Sequence, residues 1–181
     1  MLTLPSTVHG PTFSVGRIET PLGAMVAVAD DSALYLLEFA DRPMLGIQMR
    51  TLQRRYGCSI VPGVNGVFEL LERELSEYFA GDLREFSVPL DARGTEFQVA
   101  VWDRLRAIPY GETLSYGDMA SDLGRPDAQR AVGKANGDNR LAIIVPCHRV
   151  VRGDGSLCGY GGGLWRKKGL LELEQGQATL L

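Results

Sequence analysis

Cys147 is the residue of this sequence with the clearest capacity for chemistry. It follows the apolar run 141–145 and Pro146, and His148 comes directly after it. The reactive form of a cysteine is the thiolate, and at a pKa of about 8.5 only about 3% of a thiol is ionised at pH 7. A neighbouring imidazole that accepts the proton raises that fraction. The pair therefore predicts a nucleophile, although most unpaired cysteines are small buried hydrophobes.

A carboxylate to hold this histidine can come from the last predicted helix, residues 164–174. At 100° per residue, Glu174 projects to the apolar face of that helix, whereas Glu172 projects to the opposite side. We therefore predict that Glu174 orients His148. A set of cysteine, histidine and carboxylate fits a cysteine hydrolase as well as a protein that accepts an alkyl group, so both interpretations stay open on these residues alone.

Short helices precede the cysteine along the chain. Thr95 and Gln98 form a capping box at the start of one predicted helix. A short helix over 115–123 and another over about 127–136 are joined by a tight, glycine-containing turn, which is the outline of a helix-turn-helix. Many such helix pairs never touch DNA. The apolar, β-branched run 141–145 then predicts a strand that ends near the cysteine.

The first half of the chain has a different pattern, which predicts an α/β domain with an antiparallel sheet. The stretch 81–94 has no helical period, and we place a domain boundary there, near Arg93. This division gives an N-terminal α/β domain, 1–92, and a mostly helical C-terminal domain with the helix-turn-helix, 93–181. The elements predicted in the first half are two strands that form a hairpin and two helices, over residues 23–30, 33–39, 45–56 and 67–79.

Composition narrows the function classes. The 181 residues are 45% hydrophobic and 23% charged, which is ordinary for a globular domain. No apolar run approaches the roughly 18 residues that span a bilayer, and residues 1–10 lack the pattern of a signal peptide. We therefore expect a cytoplasmic protein without membrane contact. Three cysteines do not make a disulfide framework, and with only two histidines, His9 and His148, we expect no bound metal.

The net charge of −3 is unevenly distributed between the two halves. Residues 1–92 carry 7 basic and 12 acidic side chains, a net charge of −5, and residues 93–181 carry 12 and 10, a net charge of +2. A surface for a polyanion such as DNA would therefore lie in the second half.

The residues around Cys147 resemble a known motif. The string Ile144-Val145-Pro146-Cys147-His148-Arg149-Val150-Val151 is similar to the acceptor-cysteine motif of the 6-O-alkylguanine-DNA alkyltransferases, also called methylated-DNA–protein-cysteine methyltransferases. The resemblance covers nearly all of 93–174, whereas 13–92 resemble the small N-terminal domain of that family only loosely. Further matching strings are Gly94-Thr95-Glu96-Phe97-Gln98, Ile108-Pro109-Tyr110-Gly111-Glu112-Thr113, Arg130-Ala131-Val132-Gly133, Gly153-Asp154-Gly155 and Leu170-Leu171-Glu172-Leu173-Glu174.

The resemblance implies roles for the residues of the reaction centre. Cys147 matches the thiol that accepts the alkyl group. His148 matches the base that acts on that thiol through a water, and Glu174 matches the carboxylate that orients the histidine. Tyr116 matches a tyrosine that assists the guanine as it leaves. Asn139 matches a hinge asparagine that ties the helix-turn-helix to the active-site segment.

The resemblance also implies a set of DNA contacts. Arg130 matches an arginine that enters the duplex and fills the gap left by a flipped base, which offsets part of the cost of flipping. Small residues on one face of that helix would let it approach a groove closely, and we include Ala135 among them at the i, i+3, i+7 spacing. The other residues predicted to contact DNA or the base are Ala128, Gln129, Ala131, Val150, Tyr160 and Gly161.

Three departures from the family pattern affect the base pocket. Gly161 stands where a serine is common, and Asn136 stands where some members carry a bulky apolar residue. Gly162 stands where some members carry a tryptophan. Because glycines add no side-chain volume, we expect a pocket that is open on this side and admits a large alkyl group, although the glycines also fit a simple turn.

The expected activity is therefore repair by direct reversal. A monomer would bind double-stranded DNA that contains an alkylated guanine, flip the base, and move the alkyl group from the 6-oxygen to Cys147 once, irreversibly and without a cofactor. The 4-oxygen of thymine is left open as a second target. The alternatives are a module that only binds alkylated bases, a helix-turn-helix regulator and a cysteine hydrolase. The presence of Cys147 counts against the first, and the lack of a visible dimerising element counts against the second.

Overall fold

A computed structural model describes residues 10–177 of the protein. The signal-peptide expectation concerned residues 1–10, of which only residue 10 is described. His9 lies outside the described residues. Within them, an α/β half is followed by a mostly helical half, and no helix is long and apolar enough to cross a bilayer. The predicted fold class is confirmed.

A four-stranded sheet forms the first half. Its strands are β1 (Thr12–Ile18), β2 (Met25–Ala29), β3 (Leu34–Phe39) and β4 (Ser59–Pro62), in the order β3-β2-β1-β4. β2 pairs antiparallel with β1 and β3, whereas β4 pairs parallel with β1. The predicted hairpin is the β2–β3 pair. The sequence analysis missed β1 and β4, because β1 alternates only weakly and β4 is a four-residue edge strand without a buried side chain.

Two helices complete this half, at the predicted places. Helix α1 (Leu45–Tyr56) has the predicted bounds, and α2 (Gly66–Ala80) extends the predicted helix by one residue at each end. The side chain of Asn65 caps α2 by accepting from the Phe68 backbone N–H. The apolar face of α2 is buried, and this orientation turns Tyr78 towards the second half of the chain.

The second half consists mainly of four helices. They are α3 (Glu96–Arg106), α4 (Tyr116–Asp122), α5 (Gln129–Gly137) and α6 (Leu164–Glu174). The predicted capping box of α3 is present, and Ser115 caps α4 as predicted. Two-residue strands, β5 (Leu114–Ser115) and β6 (Val150–Val151), pair in parallel and join the start of α4 to the segment after Cys147.

The prediction of a strand over residues 141–145 is wrong. Only Leu141 pairs with the sheet, through a single bridge to Leu37, and the chain then turns, with Ile143 at a φ of +72°. Such a φ is a rare and strained conformation for a β-branched residue. All five side chains are buried, so burial explains their apolar character, which alone does not distinguish a strand from a buried turn.

The two halves share one apolar core. The larger cluster of buried side chains contains residues of the sheet, of α2, of α3, of the 141–145 turn and of α6. A second, smaller cluster around Phe13, Tyr35 and Leu52 lies entirely in the first half. Because the turn that precedes Cys147 packs in the shared core, the first half takes part in positioning the reactive cysteine.

Candidate active site

Cys147 begins a short 3-10 turn, Cys147–Arg149, and is 7% exposed. Cys147 therefore lies in a buried turn, whereas the sequence analysis predicted that it follows a strand. Its side chain faces a cavity of about 20 Å³, roughly the space of one water molecule. Burial raises the pKa of the Cys147 thiol to about 11, while the side chain of Asn139 opposes this shift. The resting thiol is thus protonated at neutral pH and needs a base for activation.

His148 is fully buried and contacts Glu174, with 2.8 Å between Nε2 of the imidazole and Oε1 of the carboxylate. The predicted inward direction of Glu174 is present in the structure, and Glu172 remains partly exposed beside Lys168. Burial lowers the pKa of His148, while the charge of Glu174 opposes that effect. A neutral imidazole that donates Nε2–H to Glu174 has an unprotonated Nδ1, which is buried and has no hydrogen-bond partner among the described residues.

Arg149 is a second partner of Glu174 that the sequence analysis did not assign. Its Nε donates to Oε2 at 2.8 Å, its Nη2 donates to Oε1 at 2.9 Å, and its Nη1 donates to the Ile108 carbonyl at 2.6 Å. Burial alone would raise the pKa of Glu174, but the hydrogen bond from His148 and the charge and hydrogen bonds of Arg149 outweigh burial and hold it well below its usual range. Glu174 is therefore an ionised, buried carboxylate.

Tyr116 is half-buried at the start of α4, in the same region as the thiol. Burial, followed by the neighbouring Cys158 and Cys147 thiols, raises the pKa of Tyr116 to about 12. A Cβ atom at Gly159 would lie 3.8 Å from the Tyr116 hydroxyl, so the loop after β6 passes close to it. At neutral pH this hydroxyl is protonated and available as a hydrogen-bond donor.

Asn139 links the end of α5 to the turn that precedes Cys147. Its Nδ2 donates to the Val145 carbonyl at 2.9 Å, and its Oδ1 accepts from the Leu141 backbone N–H at 2.9 Å. The side chain therefore satisfies the Leu141 N–H and adds a second donor to the Val145 carbonyl, which also accepts from the Cys147 backbone N–H at 2.8 Å. Neighbouring Asn136 is also buried, and its Nδ2 lies 3.4 Å from the Cys147 carbonyl oxygen, a second tie between α5 and the reactive turn.

The expectation of an open pocket beside the glycines is wrong for this structure. A Cβ at Gly161 would overlap the guanidinium of Arg42, and a Cβ at Gly162 would lie 2.7 Å from the Phe39 ring. Both neighbours come from the first half, near the end of β3. Arg42 forms an ion pair with buried Glu38 and donates to the Gly137 carbonyl at 2.7 Å. The glycines permit close approach of the first half, which leaves only the cavity of about 20 Å³ beside Cys147.

Val150 and Tyr160 complete the wall of the site. Val150 is fully buried, and its carbonyl accepts from Lys167 Nζ at 2.5 Å; the same ammonium group donates to the Cys158 carbonyl at 2.7 Å. Lys167 thereby anchors both ends of the intervening loop to α6. The Tyr160 hydroxyl is buried without a hydrogen-bond partner among the described residues, and burial raises its pKa well above 10.

The predicted DNA contacts lie at the start of α5, apart from the buried cluster. Gln129, Arg130 and Ala131 are exposed, and Ala128 is half-buried. The prediction that Ala135 belongs to the same small, accessible face is wrong, because Ala135 is 2% exposed and its carbonyl accepts from Trp102 Nε1 at 2.9 Å. Position i+7 of this helix turns into the contact between α3 and α5.

Across residues 10–177, no group of three or more histidine, cysteine, aspartate or glutamate side chains is placed to hold a metal ion. His148 and Arg149 are hydrogen-bonded to Glu174, and Asn139 and Lys167 donate to backbone carbonyls.

The fold and the site together define a class of protein with a buried cysteine, a buried histidine–carboxylate pair and two short helices whose surface is largely exposed. A family model described as the 6-O-methylguanine DNA methyltransferase DNA-binding domain matches residues 96–176. A methylated-DNA–protein-cysteine methyltransferase of Mycobacterium tuberculosis is 58% identical over 163 residues, which cover 89% of this chain and 92% of that relative. The crystal structure of Mycobacterium tuberculosis OGT in complex with DNA superposes with a TM-score of 0.77 and 44% identity, over 93% of this chain and 98% of that one. The chain belongs to the methylated-DNA–protein-cysteine methyltransferase family.

Proposed function

We propose that this protein repairs DNA by transferring an alkyl group from the 6-oxygen of guanine to Cys147. The observation that carries the proposal is a buried Cys147 thiol that is followed directly in the chain by a neutral imidazole, which an ionised carboxylate holds in place. This arrangement keeps the thiol unreactive at rest and supplies a base when substrate is bound. Family membership supports the same reaction.

The reaction forms one bond to sulfur and breaks one bond to oxygen. Cys147 Sγ attacks the alkyl carbon in line with the carbon–oxygen bond, and the guanine oxygen leaves with the electron pair. The thiol proton passes through a water to Nδ1 of His148, whose Nε2–H stays bonded to Glu174. Tyr116, which is protonated at neutral pH, donates a hydrogen bond to the leaving base. The guanine anion takes up one proton through the Tyr116 hydroxyl, which recovers a proton through solvent from protonated His148. The net products are therefore a thioether and a normal guanine, with the thiol proton transferred to the base.

Substrate entry requires the site to enlarge. The cavity of about 20 Å³ beside Cys147 is far smaller than a purine, and Arg42, Gly161 and Tyr160 line it. We infer that the loop over 159–162 and Arg42 separate as the flipped base enters. Val150 and Tyr160 would then contact the base, with the backbone N–H of Gly161 in place of a serine hydroxyl.

The exposed start of α5 is available to contact duplex DNA in the proposed reaction. In the proposal, α5 approaches the groove through Ala128 and Ala131, Gln129 contacts DNA, and Arg130 fills the space of the flipped base. Asn139 transmits the position of α5 to the turn that carries Cys147. Recognition thus depends on double-stranded DNA with an alkylated guanine.

Each molecule would act once, because a thioether is a stable product that the site has no group to cleave. The proposed chemistry uses only side chains and needs no cofactor. We further propose that the protein works as a monomer in the cytoplasm.

The test is a labelling experiment. The protein is incubated with a duplex that carries 6-O-methylguanine labelled in the methyl group, and tryptic peptides are then analysed. We expect label on the Cys147 peptide, saturating near one per protein. Cys147→Ser should abolish labelling while binding of the lesion persists, because an alcohol is far less ionised than a thiol. Cys58→Ser is the matched control, since Cys58 is also buried but lies in the smaller core of the first half.

Label on another residue, or continued labelling of Cys147→Ser, would contradict the assignment of the acceptor. Release of label with repeated turnover would instead indicate a hydrolase. Binding without any transfer would indicate a module that only recognises the lesion.

A further inference from the structure

The buried carboxylate of Glu174 has a hydrogen-bond donor that the sequence gives no reason to expect. The hydroxyl of Tyr78, on α2 in the first half, donates to Glu174 Oε1 at 2.7 Å across 96 positions of sequence. Tyr78 is fully buried. Every other group that contacts this carboxylate belongs to the second half of the chain.

The acceptor oxygen is crowded. Oε1 of Glu174 accepts from Tyr78, from His148 Nε2 at 2.8 Å and from Arg149 Nη2 at 2.9 Å. Oε2 accepts from Arg149 Nε and, at 3.2 Å, from the Gly111 backbone N–H. An ionised carboxylate offers about four lone-pair sites, so five donors saturate it. Tyr78 and His148 consequently compete for the same negative charge.

We propose that Tyr78 is a positioning residue that tunes the basicity of His148 through Glu174. The inference rests on the proposed function, in which His148 accepts the thiol proton. A tyrosine that donates to Oε1 withdraws charge from the oxygen that would otherwise stabilise a protonated imidazole. Tyr78 therefore keeps His148 neutral, with Nδ1 ready to accept a proton, and fixes the orientation of the carboxylate.

The direction of proton donation at this contact is unambiguous. Burial, then the charge of Glu174, raises the pKa of Tyr78 well above 10, so the phenol stays protonated. Glu174 is ionised and can only accept. The other charged and titratable groups around His148 and Glu174 are Lys167 on α6, Arg149 in the 3-10 turn and Tyr110 after α3. Arg84 lies over the Tyr110 ring.

The inference assigns a task to the first half beyond packing. In the shared core, α2 contributes the Tyr78 ring as apolar surface, next to the rings of Phe79, Phe86 and Tyr110. The Tyr78 hydroxyl extends from this apolar surface and contacts Glu174. Tyr78→Phe removes this one contact and keeps the ring, so the variant separates the electrostatic task from packing.

The experiment measures single-turnover methyl transfer from the 6-O-methylguanine duplex between pH 5 and pH 9. For Tyr78→Phe we expect the acidic limb of the rate profile to move to higher pH by on the order of half a unit, since one net hydrogen bond is removed. Tyr35→Phe is the matched control: the Tyr35 hydroxyl also donates to a carboxylate, Asp30 Oδ2 at 2.8 Å, but in the smaller core of the first half. Its profile should coincide with that of the wild type.

A second measurement follows the histidine itself. The sequence has only two histidines, so the imidazole resonances of His148 can be assigned against a His9→Gln variant and titrated by NMR without any transfer. The pKa of His148 should rise in Tyr78→Phe. Incorporation of 3-fluorotyrosine at position 78, which makes the phenol a stronger donor and preserves its shape, should shift the titration the opposite way and serves if the phenylalanine variant does not fold.

The outcomes separate this inference from the proposed function. A wild type that transfers nothing to Cys147 contradicts the proposed function, and the NMR titration still tests Tyr78. A wild type that transfers normally, with Tyr78→Phe unchanged or slowed equally at every pH and with an unmoved His148 titration, overturns the inference and leaves Tyr78 as a packing residue.

Discussion

The cluster around Glu174 and the exposed start of α5 solve different problems with similar residue types. In the cluster, Arg149 is buried and donates to Glu174 and to the Ile108 carbonyl. On α5, Arg130 is exposed to solvent. A buried ion needs every donor and acceptor matched, whereas a residue that is to enter DNA has to remain available. In the proposed mechanism, an arginine is therefore fixed by buried hydrogen bonds where it holds the carboxylate beside the base, and it stays exposed where it is to contact DNA.

The largest expected effect comes from Glu174→Gln, which removes the negative charge at the centre of the buried cluster. The substitution leaves Arg149 buried without its counter-charge, which typically costs about 3–5 kcal/mol of unfolding free energy. Transfer should fall by at least about a hundredfold, because His148 loses the ion that fixes its tautomer. Urea unfolding and single-turnover rates measure the two effects.

Glu172→Gln is the control for this change, because Glu172 lies on the same helix, where it pairs with exposed Lys168. Its effect on stability should stay within about 0.5 kcal/mol. The pH dependence supplies a sign test. Since the folded pKa of Glu174 is depressed, its stabilisation is present above the unfolded value of about 4.3 and is lost as the pH falls towards the folded pKa. A Glu174→Gln protein as stable as the wild type at pH 7 would contradict the buried-ion interpretation.

A smaller and more selective effect is expected for Arg130, the exposed arginine of α5. Arg130→Ala should slow transfer from duplex DNA by about tenfold or more, because flipping costs a few kcal/mol and loses its plug. Transfer from the free base 6-O-methylguanine should change by less than about twofold. Lys134→Ala, one turn further along α5 and also exposed, is the control. Equal losses on both substrates would place Arg130 in the chemistry or the fold.

The smallest expected effect is the dependence of DNA binding on salt concentration. The α4–α5 surface exposes three basic side chains, Arg125, Arg130 and Lys134, against three acidic ones, Asp118, Asp122 and Asp127. Few phosphates can therefore be neutralised, and we expect log Kd for undamaged duplex to change with log salt with the shallow slope of about two to four counterions. Fluorescence anisotropy titrations at several salt concentrations measure the slope. A steep slope, or a strong preference for one DNA sequence, would favour a regulator instead.

The local signals in the sequence were reliable where a segment contained its own helix-capping residues. The capping box at Thr95 and the cap at Ser115 fixed the starts of α3 and α4, since these side chains satisfy backbone groups of their own helix. Helical spacing on α6 also gave the inward direction of Glu174. The prediction of a strand over residues 141–145 was wrong because an apolar run indicates burial only. It gives no information about backbone conformation, such as the positive φ of Ile143.

The sequence by itself predicted Cys147, His148 and an inward-facing Glu174 as the candidate reactive set, because their residue types and spacing lie within one half of the chain. Only the tertiary structure decided how the site is closed and tuned. Arg42 fills the space beside Gly161, and Tyr78 reaches Glu174 from α2. Both residues come from distant positions of the first half and meet the site through a shared core, and no local pattern encodes such a contact.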